Sequence, residues 1–407
     1  MELTQRGDRH LSPAGRARQG RGAASTLVIL ALALCLVACS RDDTPLASGL
    51  RTTTSASASS ASEPPADCLY PGTDYEAWCH VVEAAGTRAR YLMFRATPAT
   101  SKTIIYDAGG PGLSNLSRLD LSYKDYVAAA NARHYNVVVV DEPWVIAPYT
   151  SACKSALSSF YSDSIAEYTH QASTKAGRRV RDECLSSGSK AALTAASYRA
   201  MVDEIERVEK IEIVRFEGHS FASVRAAYLG SSRPNLVVAI GSPFPVGGSA
   251  ADFYAAIASG ASKSGDASPH GLEADSAKAY YQSTGASPDD VDKVSAGRAL
   301  WQVNSDGLIS LSRVGYYSEI CNALTSWKNL GTTGRQGGAI LSAFASLHSV
   351  CNVENGESGL KLPSKTCFRV LQHDTSTPWI PSPLTRGARV TVVTSGQHGK
   401  IGIPSCP

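Results

Sequence analysis

The chain of 407 residues is long enough for two or three ordinary domains, or for one large α/β domain with an insertion. Hydrophobic residues make up 43% of the chain and charged residues 18%, a composition that supports a packed core and excludes a wholly disordered protein. The formal charge of +3 arises within residues 1–38, which hold five arginines and two acids. The remainder is neutral and has no basic run, so nucleic-acid binding is excluded.

The first element is an apolar run of 16 residues, 23–38, that follows the arginine-bearing start. It is shorter than a comfortable membrane span and typical of the apolar part of a signal peptide. The run ends in Leu36-Val37-Ala38-Cys39, which resembles a bacterial lipobox. We therefore expect residues 1–38 to be a lipoprotein signal peptide and Cys39 to be lipidated, so that acyl chains anchor the protein to a membrane. An ordinary secretory signal and an uncleaved anchor helix are the alternatives.

Residues 39–66 are rich in Ser, Thr and Ala and contain almost no large apolar side chain. Such a segment cannot bury enough surface to fold, which predicts a disordered tether. The expected location is the extracytoplasmic side of a bacterial cell envelope, or the medium if the anchor is cleaved.

Eight cysteines follow the tether, and neither a CxxC motif nor a zinc-like spacing occurs among them. No metal and no cofactor is expected. In an oxidising compartment an even number predicts disulfides, and sequence alone leaves their pairing open. Pairing of neighbours is our prediction because each bond then closes a local loop. The pairs are Cys68–Cys79, Cys153–Cys184, Cys321–Cys351 and Cys367–Cys406.

Short β-branched runs bounded by turn residues predict seven strands, and helical patterns lie between some of them. The strands are expected at 90–95, 103–107, 136–141, 212–217, 236–240, 368–372 and 389–394, with helices at 197–210 and 222–230. Several runs are apolar on consecutive residues, which favours a parallel sheet covered on both faces. The predicted fold class is therefore α/β. We expect core residues at 67–245 and 361–407, separated by a mainly helical insertion at 246–360 that has a helix start at 287–290 and no convincing strand.

A candidate nucleophile lies in Gly218-His219-Ser220-Phe221-Ala222, between a predicted strand and a predicted helix. Gly-x-Ser-x-small at such a turn is the pattern of a nucleophile elbow. The small flanking residues let the strand and the helix pass closely while the Ser220 hydroxyl projects above the sheet.

An activated serine needs a base and an orienting acid, which follow it in the order Ser, Asp, His in this arrangement. His398 lies just beyond the last predicted strand, and Asp374 is the last acidic residue of the chain and follows the strand before it. Both stand at carboxyl ends of strands, where open α/β sheets place their sites. The predicted triad is Ser220, Asp374 and His398.

Acyl transfer also needs hydrogen-bond donors for the developing oxyanion. The Phe221 N–H is one candidate because it follows the nucleophile. The loop Ala108-Gly109-Gly110-Pro111-Gly112 after an earlier strand offers the other. Gly110 is the first choice there and Gly109 the second.

Six segments of the chain, in this order, resemble the branch of the α/β-hydrolases that contains proline iminopeptidase and the secreted tripeptidyl aminopeptidases. They are residues 108–112, 136–143, 194–210, 218–222, 373–381 and 395–399. The resemblance covers residues 88–245 and 365–407. It implies an α/β-hydrolase fold, the same triad assignment, and a helical cap formed by the insertion. The pattern departs at Ala108, where the family has His, at Asp141-Glu142-Pro143-Trp144-Val145-Ile146, which lacks the family's glycines, and at Phe221-Ala222. We expect these departures to line the entrance and to have changed the substrate preference.

The sequence therefore predicts a membrane-tethered serine hydrolase that acts through an acyl-enzyme on a small peptide or ester. Cleavage at peptide N-termini is favoured, with a carboxylesterase as the alternative and a catalytically inactive envelope binding protein as a third possibility. Aminopeptidases of the branch hold the substrate ammonium with acidic cap residues. Glu273, Asp275 and Glu319 are candidates, and the sequence assigns none of them.

Overall fold

A computed structural model describes residues 78–112, 114–116, 121–147, 149–161, 170–185, 193–256, 312–336, 347–351, 360–372, 374, 377–396 and 398–407. All of them belong to one compact unit, Ser62–Pro407. The predicted signal peptide, the tether, Cys39, Cys68 and the helix start at 287–290 lie outside the described residues. Among the helices that are described, none combines the length and the apolar character needed to cross a membrane.

The core of the molecule is one eight-stranded sheet in the order β1-β2-β4-β3-β5-β6-β7-β8. Its strands are β1 Trp78–Ala84, β2 Thr87–Phe94, β3 Lys102–Asp107, β4 Asn136–Val140, β5 Glu212–His219, β6 Val237–Gly241, β7 Lys365–Leu371 and β8 Arg389–Val393. The pairs β1–β2 and β2–β4 are antiparallel, and all the other pairs are parallel. The predicted α/β class and all seven predicted strands are confirmed, whereas β1 was not predicted.

Helices occupy the connections between the strands. They are α1 Leu121–Ala132, α2 Ser151–Tyr161, α3 His170–Cys184, α4 Ala195–Glu209, α5 Ala222–Leu229, α6 Ser312–Ala323, α7 Trp327–Gln336 and α8 Leu347–Val350. The described part of the predicted insertion is helical, apart from an isolated bridge between Ser249 and Thr325.

Both faces of the sheet are covered, as expected for consecutive apolar residues in a parallel strand. All five residues of β4 are buried. Val137 and Val139 pack in the cluster that contains Val127 of α1, whereas Val138 packs in the larger cluster with residues from α2 to α7. The sheet is thus the middle of three layers, and the carboxyl ends of its parallel strands form one edge.

Three of the predicted disulfides are present: Cys153–Cys184, Cys321–Cys351 and Cys367–Cys406. Cys79 is also disulfide-bonded, and its predicted partner lies outside the described residues. The Cys367–Cys406 bond fastens the end of the chain to β7, next to the exposed edge strand β8. Neighbour pairing is confirmed for the three described pairs.

Candidate active site

Ser220 is a buried residue on a tight turn between β5 and α5, with a φ of +52°. A positive φ is costly for a residue other than glycine and occurs mostly where the surrounding structure enforces it. Gly218 shows why the flanking residues are small: a Cβ there would lie 2.1 Å from the Asp107 carbonyl oxygen and 2.8 Å from the Ala222 Cβ. The sequence-based expectation of a strand and a helix in close approach is confirmed.

Main-chain hydrogen bonds hold this turn on both sides. The Ser220 N–H donates to the Gly241 carbonyl at 3.0 Å, and the Ser220 carbonyl accepts from the Phe244 N–H at 3.0 Å. The Ser223 hydroxyl lies 3.0 Å from the same carbonyl and 2.8 Å from the Phe244 carbonyl. The candidate nucleophile is therefore fixed to β6 and to the segment that follows it.

Asp374 and His398 meet directly. The Asp374 Oδ2 lies 2.7 Å from the His398 Nδ1, with the carboxylate buried and the imidazole 28% exposed. A short contact between a carboxylate and Nδ1 fixes the ring orientation and favours the tautomer whose Nε2 is free to accept a proton. The two residues that chain order and predicted strand ends pair in the sequence thus form a hydrogen-bonded pair at the carboxyl ends of β7 and β8.

Thr377 and Ser242 brace this pair, and neither was predicted from the sequence. The Thr377 N–H donates to the Asp374 Oδ1 at 3.0 Å, and its hydroxyl lies 3.1 Å from the His398 Nδ1. The Ser242 hydroxyl accepts from the Gly399 N–H at 3.3 Å, while its carbonyl lies 3.4 Å from the Thr377 hydroxyl. Asp374 itself gave part of the signal, since an aspartate side chain often accepts a hydrogen bond from a main-chain N–H a few residues later.

Ser220 lies at the end of β5, which is separated from β7 by β6. Within the part of the chain that the structure describes, no hydrogen bond joins the Ser220 hydroxyl to the His398 ring. The connection runs through β6, because Gly241 accepts from the Ser220 N–H and the next residue, Ser242, contacts Gly399. Hydrogen bonds between a nucleophile and its base are often long without substrate and tighten when it binds.

His219, the residue before the nucleophile, is a second imidazole near His398. Burial lowers the pKa of His219 to about 4, and the neighbouring His398 acts in the same direction. A Cβ on Gly241 would lie 2.8 Å from the His219 Nδ1, so the ring packs against that glycine. At neutral pH His219 is uncharged and fills the space beside the elbow.

The glycine loop after β3 runs past the nucleophile. A Cβ on Gly109 would lie 3.0 Å from the Ser220 Cβ and 2.6 Å from the His219 carbonyl oxygen. The φ angles of +91° at Gly109 and +145° at Gly110 favour glycine at both positions. The Gly109 N–H donates to the Asp107 Oδ1 at 2.7 Å, so this candidate oxyanion donor is already engaged.

A buried ionic cluster lies directly behind this loop. Arg225 of α5 contacts Asp107, Glu142 and Glu319, and all four side chains are at most 3% exposed. Burial raises the pKa of Glu142, and it raises that of Glu319 to about 8 against the opposing effect of the Arg225 cation. The expectation that Glu142 lines the entrance is wrong, because its carboxylate is enclosed beneath the loop.

Glu319, one of the three acids considered for an ammonium group, is paired with Arg225. The other two, Glu273 and Asp275, lie outside the described residues. In the described ranges no group of three or more His, Cys, Asp and Glu side chains is arranged to hold a metal ion.

The leading antiparallel strands, the order of the parallel strands and the serine elbow after β5 together define the α/β-hydrolase fold, and the chain has this fold. No family model matches the sequence, and no curated protein matches it.

Solved structures with which the chain can be aligned have low identity to it. An epoxide hydrolase from Vigna radiata is 15% identical, with a TM-score of 0.37 over 80% of this chain and 92% of that one. The naproxen esterase from Bacillus subtilis is 9% identical, with a TM-score of 0.35 over 80% and 86%. An enol-lactonase from Burkholderia xenovorans is 15% identical, with a TM-score of 0.33 over 77% and 91%. The names of these proteins give different reactions, so the similarity provides no substrate for this chain.

Proposed function

We propose that the protein is a serine hydrolase that acts through an acyl-enzyme, with Ser220 as nucleophile, His398 as general base and Asp374 as the acid that orients the imidazole. The observation that carries the proposal is the 2.7 Å contact between the Asp374 Oδ2 and the His398 Nδ1, formed at the strand ends beside a serine elbow. The three residues stand in the chain order that this fold uses. A binding protein that had only kept the scaffold would have no need for the pair.

The chemistry follows from these positions. As the Ser220 Oγ bonds to the substrate carbonyl carbon, the His398 Nε2 takes the hydroxyl proton and the carbonyl electron pair moves onto oxygen. The bond to the leaving group then breaks, and the departing nitrogen or oxygen takes the proton from Nε2. Water repeats the same steps on the acyl-enzyme, which releases the acid and restores Ser220. Asp374 stabilises the imidazolium that forms in each half.

The oxyanion requires donors that are already in place, each of which contributes about 10²–10³-fold to kcat in known cases. We assign the N–H groups of Phe221 and Gly110. Gly109 is disfavoured because its N–H is bonded to the Asp107 carboxylate. Gly110 follows immediately, on a loop whose main chain approaches Ser220.

The favoured substrate is the free N-terminus of a peptide, and this choice rests on the resemblance to aminopeptidases. Glu319 gives it no support, because its carboxylate is 1% exposed and bonded to Arg225, and is therefore closed to a substrate ammonium. This observation favours a carboxylesterase as the second candidate function. Neither reaction requires a different triad.

Export and tethering through a lipidated Cys39 belong to the same proposal. The disulfides Cys153–Cys184, Cys321–Cys351 and Cys367–Cys406 support export, because such bonds form and persist in oxidising compartments.

The deciding experiment is labelling with a fluorophosphonate, a reagent that forms a covalent bond with activated serines. The wild type should be labelled, whereas Ser220→Ala should lose labelling and about 10⁶-fold in kcat. Ser232→Ala is the matched control, since Ser232 is an exposed serine beyond the far end of α5. Equal labelling of wild type and Ser220→Ala would overturn the proposal. Aminoacyl anilides with free or acetylated amino groups, tested beside short acyl esters, then separate the peptidase from the esterase.

A further inference from the structure

The ionic cluster behind the glycine loop has no role in the mechanism above, although it adjoins the elbow. Its members come from four elements: Asp107 from the end of β3, Glu142 from the segment after β4, Arg225 from α5 and Glu319 from α6. Three carboxylates surround a single cation, and all are removed from water. A buried ion cluster of this kind seldom adds net stability, because desolvation offsets the attraction between the charges. Stability alone therefore does not explain why the cluster lies beside the site.

The guanidinium of Arg225 is fully engaged. Its Nη1 donates to both Asp107 oxygens at 3.0 and 2.9 Å, and its Nη2 donates to the Glu142 Oε1 at 2.6 Å and to the Glu319 Oε2 at 2.8 Å. The Nε reaches the Glu319 Oε2 at 3.2 Å. A planar fork with five donors can hold three carboxylates in fixed directions, which a lysine ammonium cannot do.

Two of these carboxylates also hold the glycine loop. Asp107 accepts from the Gly109 N–H at 2.7 Å, and Glu142 accepts from the Gly112 N–H with both oxygens, at 3.1 and 2.9 Å. Gly110 lies between these attachments. A Cβ on Gly110 would lie 2.8 Å from the Glu142 Oε1 and 3.5 Å from the Arg225 Nη2. The cluster therefore holds the loop by hydrogen bonds at Gly109 and Gly112, on both sides of the proposed oxyanion donor Gly110.

The third carboxylate connects the cluster to helix α6 of the predicted cap. Besides the Arg225–Glu319 pair, the Trp144 indole N–H donates to the Glu142 Oε2. The same indole packs against α6 at Gly315, where a Cβ would lie 2.1 Å from the Trp144 Cδ1. Helix α6 thus packs on the Trp144 indole, which is bonded to the carboxylate that holds Gly112.

We propose that Arg225 is a positioning residue: through Asp107 and Glu142 it sets the Gly109–Gly112 main chain for oxyanion stabilisation, and through Glu319 it couples that loop to helix α6. This inference rests on the proposed serine hydrolase function and adds a residue to it. Arg225 touches no reacting atom and acts through the loop. Its loss should therefore reduce the rate of the chemical step and leave substrate affinity nearly unchanged.

The test compares Arg225→Met, Arg225→Lys and Glu142→Gln in the full chain. Kinetics of ester hydrolysis and the rate of fluorophosphonate labelling are measured well below each variant's unfolding temperature. Arg225→Met should lower kcat about 100-fold, the effect of losing one oxyanion donor, with KM changed less than about threefold. Arg225→Lys should recover only part of kcat. If Arg225→Met does not fold, Glu142→Gln keeps the volume, weakens the hold on Gly112, and should lower kcat about tenfold.

Arg233→Met is the matched control. Like Arg225, Arg233 is paired with acids, Asp203 and Glu206, but it is only partly buried and lies beyond the far end of α5. This variant should lose stability and keep its kcat. A folded Arg225→Met with the kcat of the wild type, or with only KM raised, would overturn the inference and leave the proposed function intact. Failure of the wild type to label at Ser220 would overturn both.

Discussion

The two sides of the candidate site are held in place by different kinds of contact. On the side of β7 and β8, Asp374 and His398 are braced by a hydroxyl and main-chain groups, and the imidazole is 28% exposed. On the side of β3, the glycine loop is seated on Arg225 and its carboxylates, none of which is more than 3% exposed.

The difference corresponds to the two kinds of work that acyl transfer requires. A base that exchanges a proton with a substrate and a water molecule needs access, so it is held by contacts that leave one face of the ring free. Donors that stabilise an oxyanion must stay fixed while charge develops, and a dry ionic cluster supplies strong, directional contacts for that purpose. On this view the side of β7 and β8 controls proton transfer, and the side of β3 controls the geometry of the oxyanion donors. We call them the proton-transfer side and the geometric side.

Among the changes that distinguish the two sides, the largest effect is expected on the proton-transfer side. Asp374→Asn replaces the acceptor that faces the His398 Nδ1 with an amide that can donate, which favours the wrong tautomer of the ring. We expect kcat to fall about 10⁴-fold with the fold intact, as measured by ester hydrolysis and circular dichroism. Asp252→Asn, an exposed aspartate of helical residues 250–256, is the matched control. A loss of less than tenfold would remove Asp374 from the triad.

A smaller effect is expected at the brace of that pair. Thr377→Val keeps the N–H that donates to Asp374 and removes the hydroxyl 3.1 Å from the His398 Nδ1. One neutral hydrogen bond contributes about 0.5–1.5 kcal/mol, so we expect kcat to fall about three- to tenfold. Thr377→Ser restores the hydroxyl and should restore kcat. If serine were as slow as valine, packing of the methyl group, and not the hydrogen bond, would be responsible.

The proton-transfer side could be predicted from the sequence because its signals are ordered along the chain. The Gly-x-Ser-x-Ala turn, the last acid and the last histidine each follow a recognisable strand, and the parallel sheet brings strand ends to one edge. The seven strands could be predicted because short β-branched runs bounded by turn residues mark them, and consecutive apolar residues, as in β4, mark a strand that is covered on both faces. Strand β1 escaped because His80 and Glu83 interrupt its apolar pattern.

The buried ionic cluster of the geometric side could not be predicted, because a charged residue in a helix normally lies at the surface. Nothing in the sequence shows that Arg225, Glu142 and Glu319 meet, since three separate connections bring them together. One local signal existed. All eight residues of α5 are buried, and Arg225 is the charged residue in an otherwise apolar or small run. Such a residue directly behind a serine elbow predicts a buried partner of opposite charge.

The last prediction concerns the pH dependence of the geometric side. Burial raises the pKa of Glu319 from its ordinary value of 4.5 to about 8. Between these values the folded protein keeps a proton that the unfolded chain releases, so the free energy of unfolding falls as the pH rises. Glu319→Gln keeps an oxygen for Arg225 and removes this titration. Its unfolding temperature should decrease less between pH 6 and 9 than that of the wild type, by roughly 5 °C.

Glu212→Gln is the control for the loss of one carboxyl group, since Glu212 is exposed on β5. It should follow the wild type across the whole range, because its side chain is exposed to water and takes no part in the buried cluster. A Glu319→Gln curve parallel to that of the wild type would mean that the Glu319 carboxyl holds no proton over this pH range. The geometric side would then lack the Glu319 proton that we expect to reduce the repulsion among its carboxylates, and the Arg225 cation would have to offset that repulsion.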